Sequence, residues 1–198
     1  AEANAHRSAE VDGIADFADR AGYDIVAAQV VGMGSAQTFS RTVTIDVGSE
    51  DGVVPDLTVI NADGLVGRVI EVGRTTATVL LIVDSESTVG ARLARSMELG
   101  FLDGDGQLSG DGTLQFSLVD HTVAPVEGDA VVTWGSRNNA PYLPGVPVGT
   151  VIGVHSSPSE LTQTATIKPY VDFSSLDVVA VVTDGGSGTR TDLAGGDR

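Results

Sequence analysis

The segment Val66-Gly67-Arg68-Val69-Ile70-Glu71-Val72 occurs a second time as Val148-Gly149-Thr150-Val151-Ile152-Gly153-Val154, with five of the seven positions identical. Each copy follows a turn and a second valine-rich run, and each leads through a threonine-rich run to a Val-Asp pair. A repeat of this length indicates two similar β modules. We expect each copy to be a core strand of one module. Gly67 and Gly149 would then occupy equivalent places where a side chain would interfere with bending or with close backbone approach.

The composition is that of a folded, acidic protein. Its 198 residues are 41% hydrophobic, which suffices for one large β core or two small ones. The formal net charge is −16, from 27 acidic against 11 basic residues, and this charge repels nucleic-acid phosphates and anionic lipid headgroups. The chain contains no cysteine, and no run approaches the ~20 apolar residues of a membrane-spanning helix. We therefore expect no nucleic-acid partner, no disulfide and no thiolate metal site.

Residues 1–24 are predicted to form a helical arm that ends near Gly22. Five apolar residues recur at spacings of three and four and therefore share one helical face. They are Val11, Ile14, Phe17, Ala18 and Ala21. A heptad through this face is weak, because Arg7 and Glu10 fall on its seams. The arm is either the end of a longer coiled coil, whose apolar face serves self-association, or a short helix that covers one edge of the β region.

From Asp24 onward the chain is predicted to be mainly β. Short runs of valine, isoleucine and threonine are broken about every 8 to 12 residues by turn residues, which is typical of barrels and sandwiches. Residues Asn61 to Gly64 predict a tight hairpin, and the tail 185–198 is predicted to be disordered. The proline-rich loop 141–147 carries Tyr142 and Leu143 and is either a docking surface or a plug at one barrel end.

The residues predict no enzyme. A trypsin-like hydrolase needs a histidine between a serine and a buried aspartate. The three histidines lie in the helical arm, in a polar connection and at a strand end, and the serine set tightly between glycines lies in the tail. These residues are His6, His121, His155 and Ser187. No nucleophile and base are predicted to meet, so we expect no catalytic residue.

A metal or cofactor site is not predicted either. Asp103-Gly104-Asp105-Gly106 begins like a calcium-binding loop, but Leu108 and Leu114 stand where such a loop needs its glycine and its glutamate. Hairpin turns are the simpler interpretation of this stretch. The spacing of the histidines matches no zinc motif.

Several motifs, taken in their order and spacing, resemble the MreC family of rod shape-determining proteins. They are Ile60-Asn61-Ala62-Asp63-Gly64-Leu65-Val66-Gly67-Arg68-Val69, Val79-Leu80-Leu81-Ile82-Val83-Asp84, Val89-Gly90-Ala91-Arg92, Gly128-Asp129, Val131-Val132-Thr133 and Tyr142-Leu143-Pro144-Gly145-Val146-Pro147-Val148-Gly149-Thr150-Val151. The resemblance extends over about residues 25–183. It implies a coiled-coil end followed by two small β-barrels, one inserted in the other. Residues 25–34 and 120–184 would form a membrane-proximal barrel, and residues 35–119 would form the second.

The same resemblance implies a function. MreC-like proteins are non-catalytic scaffolds of the bacterial cell-elongation machinery, which self-associate and bind and activate a class B penicillin-binding protein. Further family partners are the membrane protein MreD and, indirectly, the actin-like MreB. The protein is then expected on the extracytoplasmic face of the cell membrane. A single membrane-spanning anchor is expected to precede Ala1.

Large apolar side chains beside loops are the candidate contacts with the transpeptidase, because such groups make good anchors. They are Phe39, Trp134, Tyr142 and Leu143. Two other functions stay open on the residues alone. One is a degenerate or active trypsin-like barrel hydrolase, and the other is a glycan-binding β module, against which the low aromatic content of 5% argues.

Overall fold

One helix and twelve strands form in the described part of the chain. The computed structural model describes residues 2–34, 40–106, 112–120, 122–135, 141–157 and 162–185. The elements are α1 (Glu2–Ala21), β1 (Tyr23–Met33), β2 (Thr42–Ile45), β3 (Thr58–Ile60), β4 (Leu65–Val72), β5 (Ala77–Leu81), β6 (Thr88–Leu93), β7 (Leu99–Gly104), β8 (Leu114–Leu118), β9 (Ala130–Thr133), β10 (Pro147–Ser157), β11 (Thr162–Pro169) and β12 (Val178–Gly185). A short 3₁₀ turn spans Ser49–Asp51. The predicted tail, apart from Gly185, lies outside the described residues.

The strands close into two six-stranded antiparallel barrels. Barrel one has the strand order β1-β12-β3-β4-β5-β2, and barrel two has the order β10-β11-β8-β7-β6-β9. The chain leaves barrel one after β5, builds the whole of barrel two and returns as β12, which pairs with β1 and β3. Barrel two is therefore an insertion in barrel one. The predicted fold class, a helix followed by two barrels with one inserted in the other, is confirmed.

The predicted boundaries of the two barrels are wrong. Strands between residues 42 and 81, which we expected in the second barrel, pair with β1 and β12 in barrel one. Strands between residues 130 and 169, which we expected beside β1, pair with β6 and β8 in barrel two. The physical reason is that short antiparallel connections keep successive strands in one sheet. Only β12 makes the long return.

The two copies of the repeat occupy equivalent places in different barrels. β4 contains the first copy and β10 the second, and each pairs in antiparallel fashion with the strand that follows it. A Cβ added at Gly67 would overlap the carbonyl oxygen of Leu80. A Cβ added at Gly149 would overlap the carbonyl oxygen of Lys168 and lie 2.8 Å from Cγ2 of Ile167. The prediction that both glycines permit close backbone approach is confirmed.

Helix α1 packs on barrel one. Gly22, with φ of 71°, ends the helix in the left-handed conformation that glycine adopts at low cost. Ile14 and Ala18 are buried, and Ile14 belongs to the continuous hydrophobic core. Arg7 forms an ion pair of 3.1 Å with Asp177, just before β12. The C-terminal half of α1 therefore agrees with the second interpretation of the arm, a helix that covers one edge of the β region. In the described part of the chain, no helix is long and apolar enough to cross a membrane.

The loop 141–147 fills the junction between the barrels. The hydroxyl of Thr58 in barrel one donates to the Pro141 carbonyl (3.0 Å) and accepts from the Leu143 N–H (3.1 Å). The hydroxyl of Thr133 in barrel two donates to the Leu143 carbonyl and accepts from the Val146 N–H (2.8 Å). One threonine from each barrel thus satisfies the backbone of this loop. This arrangement agrees better with a plug at a barrel end than with an exposed docking surface.

The hairpin of residues 61–64 reaches the same junction. The Asn61 side-chain oxygen accepts from the Asp63 N–H (2.9 Å) and the Gly64 N–H (3.0 Å), as the hairpin prediction requires. A Cβ at Gly64 would overlap the Pro147 carbonyl oxygen. On its other side, a Cβ at Gly13 of α1 would lie 3.1 Å from the Cβ of Ala62. The hairpin is therefore held between the helix and barrel two.

Candidate partner-binding surface

The outer face of strands β9, β6, β7 and β8 of barrel two carries a cluster of apolar side chains, bordered by the polar Thr88, Asp103 and Ser117. In β6, Val89, Ala91 and Leu93 are buried, so Gly90 and Arg92 point outward. Gly90 pairs with Phe101 of β7, and Arg92 pairs with Leu99 of the same strand. Because this register pairs the two strands residue by residue, the outward residues of β6 and β7 lie side by side.

Trp134 completes the row that runs through Gly90. Its backbone N–H donates to the Gly90 carbonyl (3.0 Å). A Cβ on Gly90 would lie 3.9 Å from a carbon of the indole ring. Phe101 lies on the opposite side of Gly90. Trp134 is 51% exposed and Phe101 is 49% exposed. Two large aromatic side chains therefore stand in solvent on either side of a residue that has no side chain.

The next row contains an arginine between apolar residues. Arg92 pairs with Val132 of β9 on one side and with Leu99 on the other. The N–H of Val119, which follows β8, donates to the Leu99 carbonyl (2.9 Å), and Val119 is 59% exposed. We call this surface the Trp134 face. It consists of Gly90, Arg92, Leu99, Phe101, Val119, Val132 and Trp134.

Arg92 is the one charged residue of the Trp134 face. Its Nε is buried and has no hydrogen-bond partner in the described structure. The rest of the face exposes aromatic and aliphatic side chains, although the chain as a whole carries a net charge of −16. Aromatic residues and arginine are enriched at the centres of protein interfaces, whereas acidic residues are depleted there. The composition of the Trp134 face is thus that of an interface centre.

The predicted partner contacts meet different outcomes. Trp134 lies in the face just described. Tyr142 and Leu143 are each only 3% exposed at the barrel junction, so they are not available to a partner and are corrected to core residues. Phe39 lies outside the described residues. The sequence analysis missed Phe101 and Val119, because β7 carries apolar residues at both buried and exposed positions and only the register shows which of them face outward.

The predicted self-association face is mostly used within the chain. Ile14 and Ala18 are buried against barrel one, and Phe17 is half-buried with its ring 6.2 Å from that of Tyr23. Val11 and Ala21 remain exposed. Two of the five predicted residues are therefore free on the helix surface.

Tyr142 has an unusual environment in the core. Its burial raises the pKa of the phenol above the ordinary value of 10.0. Neither the Tyr142 hydroxyl nor the Ser87 hydroxyl makes a hydrogen bond in the described structure. The phenol is thus held neutral by its surroundings.

The residues considered for chemistry have structural roles where they are described. Asp103 accepts a hydrogen bond from the Thr88 hydroxyl (2.7 Å), and Asp105 accepts from the Thr113 N–H (2.9 Å). Among the described residues, no three His, Asp or Glu side chains group as metal ligands would. His155 is exposed on β10 opposite Thr164, whereas His121 and Ser187 lie outside the described residues.

Comparison with known proteins agrees with the fold. A sequence profile described as Rod shape-determining protein MreC, barrel core, matches residues 30–183. The cell shape-determining protein MreC of Listeria monocytogenes is 32% identical over 172 residues, which are 86% of this chain and 57% of the Listeria protein. The chain therefore spans somewhat more than half the length of that relative.

Solved structures of the same name share the architecture. A structure described as MreC superposes with a TM-score of 0.80 and 24% identity, covering 91% of this chain and 99% of that one. A structure described as a complex between penicillin-binding protein PBP2 and MreC from Helicobacter pylori has a TM-score of 0.58 and 13% identity, covering 81% of this chain and 100% of that one. At these identities the likeness concerns the fold.

Proposed function

This chain belongs to the MreC family of cell shape-determining proteins, and from that premise we propose that it is a non-catalytic scaffold for a class B penicillin-binding protein. The family is named for a structural role in cell shape, not for an enzymatic one. The observation that carries the proposal is the Trp134 face, where Phe101 on β7 and Trp134, the residue after β9, are exposed on either side of Gly90. Rigid strands hold such anchors in place before binding, which lowers the entropic cost of association.

The transpeptidase is proposed as the partner for two reasons. The Helicobacter pylori protein of the same name and fold is described in complex with PBP2. The Trp134 face offers an apolar centre of the composition found in protein interfaces. Binding there would stabilise the partner in one conformation and thereby promote its transpeptidase activity.

The wider setting of the proposal follows from the family resemblance. It includes a single membrane-spanning anchor that precedes this stretch of chain, a location outside the cell membrane, and the partners MreD and, indirectly, MreB. Barrel one carries helix α1 at its edge, so it would be the membrane-proximal barrel. Barrel two would then present the Trp134 face farther from the membrane.

Replacing Trp134 tests the proposed binding. We expect Trp134→Ala to weaken binding of this chain to the extracytoplasmic part of the cognate transpeptidase by about 30-fold, because truncating a central aromatic anchor costs about 2 kcal/mol or more. Phe101→Ala should weaken binding by a similar factor. Biolayer interferometry at constant salt measures both. Stimulation of transpeptidase turnover by the wild-type chain is the companion assay.

The matched control is Tyr170→Ala. Tyr170 is also an exposed aromatic residue of barrel two, but it follows β11 and its backbone N–H donates to the Val148 carbonyl of β10, which is not among the four strands of the Trp134 face. Its replacement should change the affinity by less than about twofold. Absence of wild-type binding at tens of micromolar would refute the scaffold proposal. Equal losses for Tyr170→Ala and Trp134→Ala would show that the wrong surface had been chosen.

Self-association through helix α1 is the second part of the proposal. Val11 is exposed on the helix upstream of the buried Ile14, so it is available to a second copy of the chain. We expect concentration-dependent dimerisation in sedimentation velocity, and we expect Val11→Asp to weaken it by about fivefold because a carboxylate opposes apolar contact. Ala9→Asp adds the same charge about 200° away around the helix and should leave dimerisation unchanged. A wild-type chain that stays monomeric at high concentration would contradict this part.

A further inference from the structure

Arg92 differs from the other arginines in the described part of the chain. Six of the seven arginines there make an ion pair or a hydrogen bond within the chain. These are Arg7, Arg20, Arg41, Arg68, Arg74 and Arg95. Arg92 makes no ion pair or hydrogen bond in the described structure, although acidic residues outnumber basic ones 27 to 11. Among so many carboxylates, an unpaired arginine needs an explanation.

The position of Arg92 makes the missing partner costly. The side chain lies between Val132 and Leu99, and its Nε is buried. A guanidinium has five N–H donors and no acceptor, and a buried donor that loses water without gaining an acceptor destabilises the fold. The side chains of Val132 and Leu99 contain no oxygen atom. The carbon stem of Arg92 can cover the strands, and no acceptor in the described chain reaches the buried Nε.

We infer that Arg92 is the specificity-determining residue of the Trp134 face and receives a carboxylate from the bound partner. This inference rests on the proposed function, since it names the chemistry that the partner presents to that same face. The occupant is a partner segment in which an aspartate or glutamate is flanked by apolar side chains. The apolar side chains pack against Trp134 and Phe101, and the carboxylate accepts hydrogen bonds from the guanidinium.

The surroundings favour such a pair. Once a partner covers Trp134, Phe101 and Val119, water is excluded around Arg92 and the charge-assisted hydrogen bonds gain strength. Charge complementarity also selects the partner segment. The chain as a whole is strongly acidic, so its other surfaces repel a carboxylate that Arg92 attracts. An acidic segment is thus accepted at Arg92 and rejected elsewhere.

The test separates binding from folding. We expect Arg92→Met to weaken binding to the extracytoplasmic part of the cognate transpeptidase by about tenfold or more, because a buried carboxylate would be left unpaired. The same variant should melt at the wild-type temperature or above, since it removes an unsatisfied donor. Arg92→Lys keeps the charge but not the planar fork, and we expect a smaller loss of about threefold to fivefold. Interferometry and thermal denaturation give the two readings.

Arg74→Met is the matched control, because Arg74 is an exposed arginine of barrel one paired with Glu50. Its affinity should stay within about twofold of wild type. Asp→Asn and Glu→Gln substitutions along the partner should identify one carboxylate that Arg92 binds. Its replacement should weaken binding to the wild-type chain but should not weaken binding to Arg92→Met any further. If the wild-type chain binds and both Arg92 variants bind equally well, the inference is overturned and the scaffold proposal stands. If the wild-type chain does not bind, both are overturned.

Discussion

Gly67→Ala is expected to lower the free energy of unfolding by about 4 kcal/mol, near the upper end of what single substitutions cost. The added Cβ would overlap the carbonyl oxygen of Leu80 and lie 2.9 Å from its carbonyl carbon. Both atoms are backbone of the paired strand β5, so no side-chain rotation can relieve the overlap. The two strands would have to separate, with loss of ladder hydrogen bonds in the centre of barrel one.

The second copy of the repeat provides an independent measurement. Gly149→Ala would bring the Cβ against the Lys168 carbonyl oxygen and within 2.8 Å of the Ile167 side chain. We expect a loss of about 3 kcal/mol in barrel two. Urea denaturation followed by circular dichroism measures both variants. If the barrels unfold separately, Gly67→Ala should shift one transition and Gly149→Ala the other.

Gly153→Ala is the control for both. Gly153 lies in β10 with Gly149, but the nearest atoms to an added Cβ are 3.9 Å away. Glycine weakens a strand by about 0.5–1 kcal/mol relative to alanine, so this change should be neutral or stabilising. If Gly67→Ala is as stable as the wild type, close approach of the neighbouring backbone is not the reason for glycine at the repeat positions.

The sequence predicted the strands well and the barrel boundaries poorly, for one physical reason. Valine-rich runs and turn residues are local signals, and the mainly β chain that they predict forms twelve strands among the described residues. Closure of a barrel depends on contacts between distant residues, such as β12 with β1. The run Ala130–Thr133 would fit either barrel by its pattern alone. Its pairing with both β6 and β10 is decided by the closed sheet.

The candidate site shows the same division. Trp134 was predicted because a large aromatic side chain beside a loop is visible in the sequence. Phe101 was missed because its position beside Trp134 depends on the register that places Gly90 between them. The proline-rich loop suggested exposure of Tyr142, but its hydrogen bonds with Thr58 and Thr133 hold that loop in the junction. The hydrogen bonds between the loop backbone and the two barrels join residues that are distant in sequence, so local sequence patterns do not predict them.

Tyr142→Ala is the second large effect, because the ring fills the junction of the two barrels. Tyr142 is almost fully buried in the continuous core. Truncating a buried aromatic side chain leaves a cavity that its neighbours fill only in part, so we expect a loss of about 3–4 kcal/mol. Tyr142→Phe keeps the ring and removes a buried hydroxyl that has no hydrogen-bond partner. That change should cost less than about 1 kcal/mol or stabilise the fold.

The pH dependence distinguishes burial of the phenol from a polar role. Burial raises the pKa of Tyr142 in the folded chain above its ordinary value of 10.0, which means that folding favours the neutral phenol. The corresponding stability is fully present below pH of about 10, where the phenol is neutral in both states, and is lost as the pH rises toward the folded-state pKa. Wild type should therefore lose stability above that pH faster than Tyr142→Phe. Tyr170→Phe, at an exposed tyrosine, should follow wild type. If Tyr142→Phe costs as much as Tyr142→Ala at neutral pH, the hydroxyl, not the ring, holds the barrels together.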